Sequence, residues 1–242
     1  KENSDKPFAV NVMLLSSHIE ELAQVVVDEE VPVVITGAGN PGKLIEMWKA
    51  AGITVIPVIP NPTMAKRMEQ LGADAVIAEG NEAGGHVGEM TTMTIIPQVL
   101  AEVSIPVIAA GGIASGKQMF AAEVLGASGV QIGTSFLVAE ECPIHDNYKD
   151  KVLKAKDTNI VVIGRINGYP NRMVKKKMSR SFVEMEKEGR DAMELELYTL
   201  GAGKKAVHEG DVAEGSLMAG LVVGQLNEIK PVQQILDDLY SD

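Results

Sequence analysis

Short runs of apolar and β-branched residues recur along the chain, each followed by a stretch of helical length: Phe8 to Met13, Val31 to Thr36, Thr54 to Val58, Ala75 to Ala78, Pro106 to Ala110 and Val130 to Ile132. Runs of this kind are what strands buried on both faces of a parallel sheet look like. Their spacing of roughly 20–30 residues leaves room for one crossover helix between successive strands. The helices read from local signals. Ser17 precedes His18 to Glu30, where Ile19, Leu22, Val25 and Val26 fall on one face, so it is the expected cap. Asn40-Pro41 opens a second helix, with Leu44, Ile45, Met47 and Trp48 inward and Gly52 at its end. Asn61-Pro62 opens a third that closes at Gly72, and Ser115 caps a fourth that ends at Gly126. Beyond Leu137 the pattern changes to charged helices at Asn147 to Ala155, Ser179 to Lys187 and Val232 to Leu239.

Six βα units leave open sheet edges, whereas eight close a barrel and remove them. The expected fold is therefore α/β, a TIM (β/α)8 barrel in which the visible runs are strands three to eight. Two further strands are expected ahead of Lys1, and a small helical lobe after the barrel. Residues 1–140 carry the βα units in this reading, and 141–242 form helical segments packed on the same single domain. An open doubly wound sheet is the alternative.

Composition narrows the function. With 45% hydrophobic but only 4% aromatic residues, the core is aliphatic, and a net charge of −11 opposes nucleic acid or an anionic membrane surface as partner. Cys142 is the sole cysteine, no apolar run reaches membrane-spanning length, and no charged-then-apolar leader is seen, so a cytoplasmic protein is expected. His18, His145 and His208 have no ligand spacing with each other or with Cys142, so no metal is expected. Arg165, Arg172 and Lys175 to Lys177 form a basic cluster that is either a solvated face or a seat for an acidic carrier protein or a nucleotide phosphate.

The candidate chemistry lies in turns that close the apolar runs. Gly111-Gly112 and Gly133-Thr134 follow neighbouring strands, where bare backbone N–H groups can surround a phosphate. Ligand-free βα turns are the bland alternative. Gln131 points at the same end and can bond a cofactor ring, a ribityl chain or only the protein itself. The glycine-rich loop Glu79-Gly80-Asn81-Glu82-Ala83-Gly84-Gly85-His86 brings a titratable ring, with two glycines leaving room for a flat ligand beside it. Asn11, an amide inside Val10-Asn11-Val12, needs a partner if buried, and a cofactor heterocycle could serve.

Together Lys6 to Met13, Gly37 to Pro41, Ala78 to His86, Ala109 to Ile113 and Gln131 to Thr134 resemble the nitronate monooxygenase and flavin-dependent enoyl-acyl carrier protein reductase family. Thr91-Thr92-Met93, His145 to Lys149 and Gly215 to Gly220 look more like the reductase branch. The resemblance implies FMN in a TIM barrel, with Asn11 and Gln131 on the flavin, and Gly111, Gly112, Gly133 and Thr134 at its phosphate. His86 then lies beside the ring, and Glu79, Gly84 and Gly85 join the cofactor site. It further implies hydride transfer from NADH or NADPH through FMN to a trans-2-enoyl thioester or acyl carrier protein substrate, with a homodimer left open. Oxidation of alkyl nitronates with FMN and O2 is the second reading, and a binding module without turnover the third. Tyr169 and Leu221 stand where family members often have His and Gln, so no role passes to them.

Overall fold

The structure, a computed structural model, describes residues 5–241. Its strands are β1 (Ala9–Met13), β2 (Val33–Gly37), β3 (Thr54–Ile59), β4 (Val76–Glu79), β5 (Gly85–His86), β6 (Val107–Ala110), β7 (Gly129–Gln131), β8 (Ile160–Ile163) and β9 (Asn171–Val174). Its helices are α1 (Ile19–Asp28), α2 (Lys43–Ala50), α3 (Pro62–Gln70), α4 (Thr92–Leu100), α5 (Gly116–Val124), α6 (Asp146–Leu153), α7 (Lys177–Lys187), α8 (Ala192–Thr199), α9 (Ala202–Val207) and α10 (Val232–Ser241). Six strands form a parallel sheet in the order β1-β2-β3-β4-β6-β7, curled into a half-barrel. Each of the six apolar runs read as strands forms one, and β1 and β7 are the sheet's two edges. The fold is TIM-barrel-like α/β.

The chain forms two compact units. The first comprises the residues up to Glu79 with Met90–Ala109 and Ala122–Val130; the second comprises Gly80–Glu89, Ala110–Ala121 and everything from Gln131 onward. In the first unit β1, β2 and β3 pair in register, Asn11 opposite Ile35 and Ile35 opposite Ile56. Its core is aliphatic: Val34, Val55, Ile59, Met68, Val76, Ile77, Ile95 and Ile96 are all essentially inaccessible.

Local signals explain most helix starts. The Asn61 side chain accepts from the Met64 N–H at 2.9 Å with Pro62 in the first turn, an N-cap as expected. At α5 the Gln118 side chain accepts from the Ala114 N–H at 2.9 Å. Ser115 Oγ in turn accepts from the Gln118 N–H at 3.4 Å. Two expectations fail. His18, not Ser17, occupies the cap position of α1, and the nearby hydroxyl contact is Ser16 Oγ accepting from the His18 N–H. Asn40-Pro41 marks the turn ahead of α2 rather than its first residues, because Asn40 Oδ1 accepts from the Gly42 N–H at 3.1 Å and the helix begins at Lys43.

The inward face of α1 is also narrower than its periodicity implies. Ala23 and Val26 are buried, whereas Leu22 and Val25 are exposed. With Phe8, Asn11 and Met13 they line an open cleft of ≈ 710 Å³ along the edge strand β1.

In the second unit, the lobe expected to be helical also contains an antiparallel sheet, β5-β9-β8. Its strands are only two to four residues long, and Arg172 makes β9 read as part of a basic run. Cross-strand pairing, not local pattern, makes it a strand. Two hydrophobic clusters hold this unit. One gathers Tyr148, Val152, Leu217 and Val223, the other Ile163, Met178, Phe182 and Leu195. Among the described residues no helix is long and apolar enough to cross a membrane, and no group of His, Cys, Asp and Glu could hold a metal ion.

Trp48 anchors the helical layer of the first unit. Its side chain is fully buried and its Nε1–H donates to the Ala23 carbonyl at 3.1 Å, tying α2 to α1. Trp48→Phe should lower stability by about 2–4 kcal/mol, because it opens a void and removes the hydrogen bond that ties the two helices together. Urea unfolding followed by circular dichroism checks this, and an unchanged midpoint contradicts it.

Candidate functional site

The loop after β4 is folded back by its own backbone. The Gly80 N–H donates to the Ala110 carbonyl at 2.9 Å, and the Ala83 N–H donates to the Gly80 carbonyl at 3.1 Å. Gly111 sits so close that a Cβ there would lie 2.7 Å from the Gly80 carbonyl oxygen. The same loop meets a late segment: Leu221 N–H donates to the Glu82 carbonyl at 2.9 Å. A Cβ on Gly84 would lie 2.6 Å from the Ala219 carbonyl carbon, and one on Gly220 would lie 2.7 Å from the Glu82 oxygen. The Gly220 N–H then donates to Thr134 Oγ1 at 2.9 Å. The turn after β7 and the loop after β4 are thus joined through residues 219–221.

His86 is carried by β5, opposite Asn171 of β9, and the next N–H, of Val87, donates to the Pro170 carbonyl. The ring is exposed, yet the surrounding loop desolvates it enough to hold its pKa below the usual histidine value. On the neighbouring register position Arg172 lies opposite Gly85. Only 7% of its surface is accessible, its Nη1 donates to the Ala83 carbonyl at 3.3 Å, and its Nε has no partner. Burial, then the Arg165 charge, lower the pKa of this guanidinium, while Glu82 opposes the shift.

Glu79, the last residue of β4, is half-buried, and burial pushes its carboxyl up to about 7. Asn11 is exposed, with its Oδ1 3.9 Å from where a Gly37 Cβ would stand. The alternative of an awkward burial for that amide does not arise. Gln131 is half-buried at the end of β7. Gly133 is exposed, has an ordinary φ of −124°, and nothing lies within 4 Å of a Cβ placed on it. Ser135 Oγ is buried without a hydrogen-bond partner.

These positions revise the reasons for several residue identities. A Cβ on Gly84 would occupy space filled by the Ala219–Gly220 backbone, which by itself requires glycine there. A Cβ on Gly112 would meet the Glu82 side chain at 3.2 Å, so this turn faces a carboxylate-bearing side chain as well as backbone. Among the phosphate-site candidates Gly133 alone combines an ordinary φ with open space. The basic cluster also divides. Arg172 is buried, Arg165 pairs with Glu89 and Lys177 with Glu214, each at 2.6 Å. Asn11 and Glu79 belong to the first unit and the other eight candidates to the second.

Sequence reasoning did not single out Ser135, and it placed Arg172 in a basic cluster rather than in the support of the His86 loop. Ser135 is a hydroxyl directly after Gly133-Thr134 in an otherwise apolar stretch, a signal that was present. Arg172 was hidden inside a run of exposed cations, and only the antiparallel pairing with β5 separates it from them.

The family described as "Nitronate monooxygenase" matches residues 4–242. The structure of FabK from Thermotoga maritima superposes with a TM-score of 0.96 at 46% identity, covering 99% of this chain and 76% of that one. Nitroalkane oxidase from Streptomyces ansochromogenes gives a TM-score of 0.83 at 26% identity, covering 98% of this chain and 80% of that one. By sequence the chain is 30% identical, over 279 aligned positions covering all of it and 79% of the relative, to (3aS,4S,5R,7aS)-5-hydroxy-7a-methyl-1-oxo-octahydro-1H-indene-4-carboxyl-CoA dehydrogenase from Rhodococcus jostii. It spans about half the length of other curated relatives that it matches. The chain belongs to the nitronate monooxygenase family, whose members here are oxidoreductase enzymes.

Proposed function

We propose that this chain carries the cofactor site of an FMN-dependent reductase that takes hydride from NADH or NADPH and delivers it to a trans-2-enoyl thioester borne by an acyl carrier protein. The 46% identity to FabK, an enoyl-acyl carrier protein reductase, over nearly the whole chain carries this reading. The nitroalkane oxidase match is weaker, at 26%, and a relative named for a carboxyl-CoA compound adds a second thioester. Oxidation of alkyl nitronates remains the second reading, favoured by the family match itself.

The residues of the turn after β7 fit an anionic cofactor group. Ser135 Oγ lacks a partner, Gly133 borders open space, and Thr134 Oγ1 accepts from Gly220, which leaves its own O–H to donate. Gly111, Gly112, Gly133 and Thr134 hold the phosphate in this proposal, Gln131 the ring system, and Gly84 and Gly85 line the site within the second unit. Bound FMN supplies the two-electron chemistry between nicotinamide and enoyl thioester. The protein's share is to bind, orient and manage protons.

Desolvation lowers the pKa of His86 and so favours the neutral imidazole, which offers one N–H and one lone pair. A thioester reduced at its β-carbon needs a proton at its α-carbon.

Three outcomes follow. The protein should oxidise NADH or NADPH only when a crotonyl thioester is added, and His86→Ala should lower turnover on the order of 10²-fold while bound FMN, read by visible absorbance, stays constant. Unchanged turnover removes His86 from the chemistry. Gly133→Ala should keep the melting temperature of the flavin-free protein but weaken FMN binding by about tenfold, roughly 1.4 kcal/mol. Wild-type affinity there contradicts the phosphate assignment. For Glu79 the folded-state pKa lies above the unfolded value, so its contribution to stability is present at low pH and is lost as pH rises towards and through about 7. Glu79→Gln should therefore gain melting temperature over wild type at pH 8 and little at pH 4; a gap independent of pH counts against a raised pKa.

A further inference from the structure

The second unit carries a charged face that the cofactor-site reading leaves unused. Arg180, Val183, Glu184 and Lys187 recur at three-, four- and seven-residue spacing along α7 and share one stripe. With Val161 of β8 and Lys175 just past β9, this stripe lines an open groove of ≈ 330 Å³. Lys175, Arg180 and Lys187 are exposed and form no ion pair among the described residues. Lys151 of α6 adds to the same ground: burial first, then the charges of Lys151 and Arg180, lower the pKa of Lys176. Several other exposed cations of this unit are paired, Lys154 with Asp150, Arg165 with Glu89, Lys177 with Glu214 and Arg190 with Glu188, whereas Lys117, Lys156, Lys204 and Lys205 are exposed without an ion pair among the described residues but do not line this groove. On a chain of net charge −11, the groove gathers three cations without ion-pair partners around a single carboxylate, Glu184.

We propose that the groove along α7 is the docking surface for an acidic acyl carrier protein, with a negatively charged helix of the carrier lying across Arg180 and Lys187. Those two positions are about 10 Å apart along the helix axis, a span that suits a row of carboxylates and exceeds one phosphate group. Val161 and Val183 give the groove an apolar floor between the charges, the arrangement of a protein interface rather than of an ion site. Glu184 between the cations repels a uniformly negative surface and so selects carboxylates placed on either side of it.

The proposal rests on the reductase reading, and the experiment separates the two. The double variant Arg180→Glu, Lys187→Glu is assayed with a trans-2-enoyl carrier protein and with the same acyl group on uncharged N-acetylcysteamine. The carrier-linked KM should rise about tenfold or more at low salt, with kcat and the N-acetylcysteamine KM unchanged. Added salt should weaken the wild type towards the variant. Equal shifts for both thioesters, no shift, or a shift confined to NADPH overturns the docking surface. If the wild type reduces neither thioester, the reductase reading fails by itself. Fluorescence anisotropy of labelled carrier protein then still decides the surface, by whether the double variant loses tenfold in Kd.

Discussion

Everything about the candidate site depends on one constraint: three stretches of backbone approach one another more closely than side chains allow. The loop after β4, the turn after β7 and residues 219–221 meet through Glu82 O, Thr134 Oγ1 and the N–H groups of Gly220 and Leu221. Any side chain at 84 or 220 would occupy space already filled by main-chain atoms. Close packing of this kind is unforgiving, since backbone has no rotamer with which to move aside. The loop that bears His86 is held by these contacts and by the β5–β9 pairing, although half of it is glycine-rich and would be mobile in isolation.

A buried guanidinium completes that support. Arg172 reaches from β9 to the Ala83 carbonyl, next to the glycine pair. Taking a cation out of water is costly, and here only a carbonyl and the field of Glu82 offset it. The position is therefore a poor choice for stability alone. It does tie β9 to the peptide that precedes Gly84. Tyr148 performs a similar service on the other flank, its hydroxyl donating to the Met218 carbonyl at 2.8 Å.

The parallel sheet was legible because its signals are local. Apolar runs such as Val31 to Thr36 and the Asn61-Pro62 start carry their own reasons, and the structure reproduces them. The sheet β5-β9-β8 was not legible, since strands of two to four residues exist only by virtue of their partners. The inward face of α1 failed for the opposite reason: its periodicity is helical, but Leu22 and Val25 open onto a cleft rather than a core. At the site, sequence located the glycines and misjudged why some of them are glycine. Nothing local distinguishes a glycine that makes room for a ligand from one that makes room for Ala219.

That distinction matters for how the Glu-Ala-Gly-Gly-His and Met-Ala-Gly segments are used as markers. Gly84 and Gly220 answer to the architecture, whereas Gly133 does not. A descendant that had abandoned redox work altogether would still keep the first two in order to fold, and would be free to drift at the third. Surveys of genomes that count these segments thus enumerate a scaffold rather than an activity.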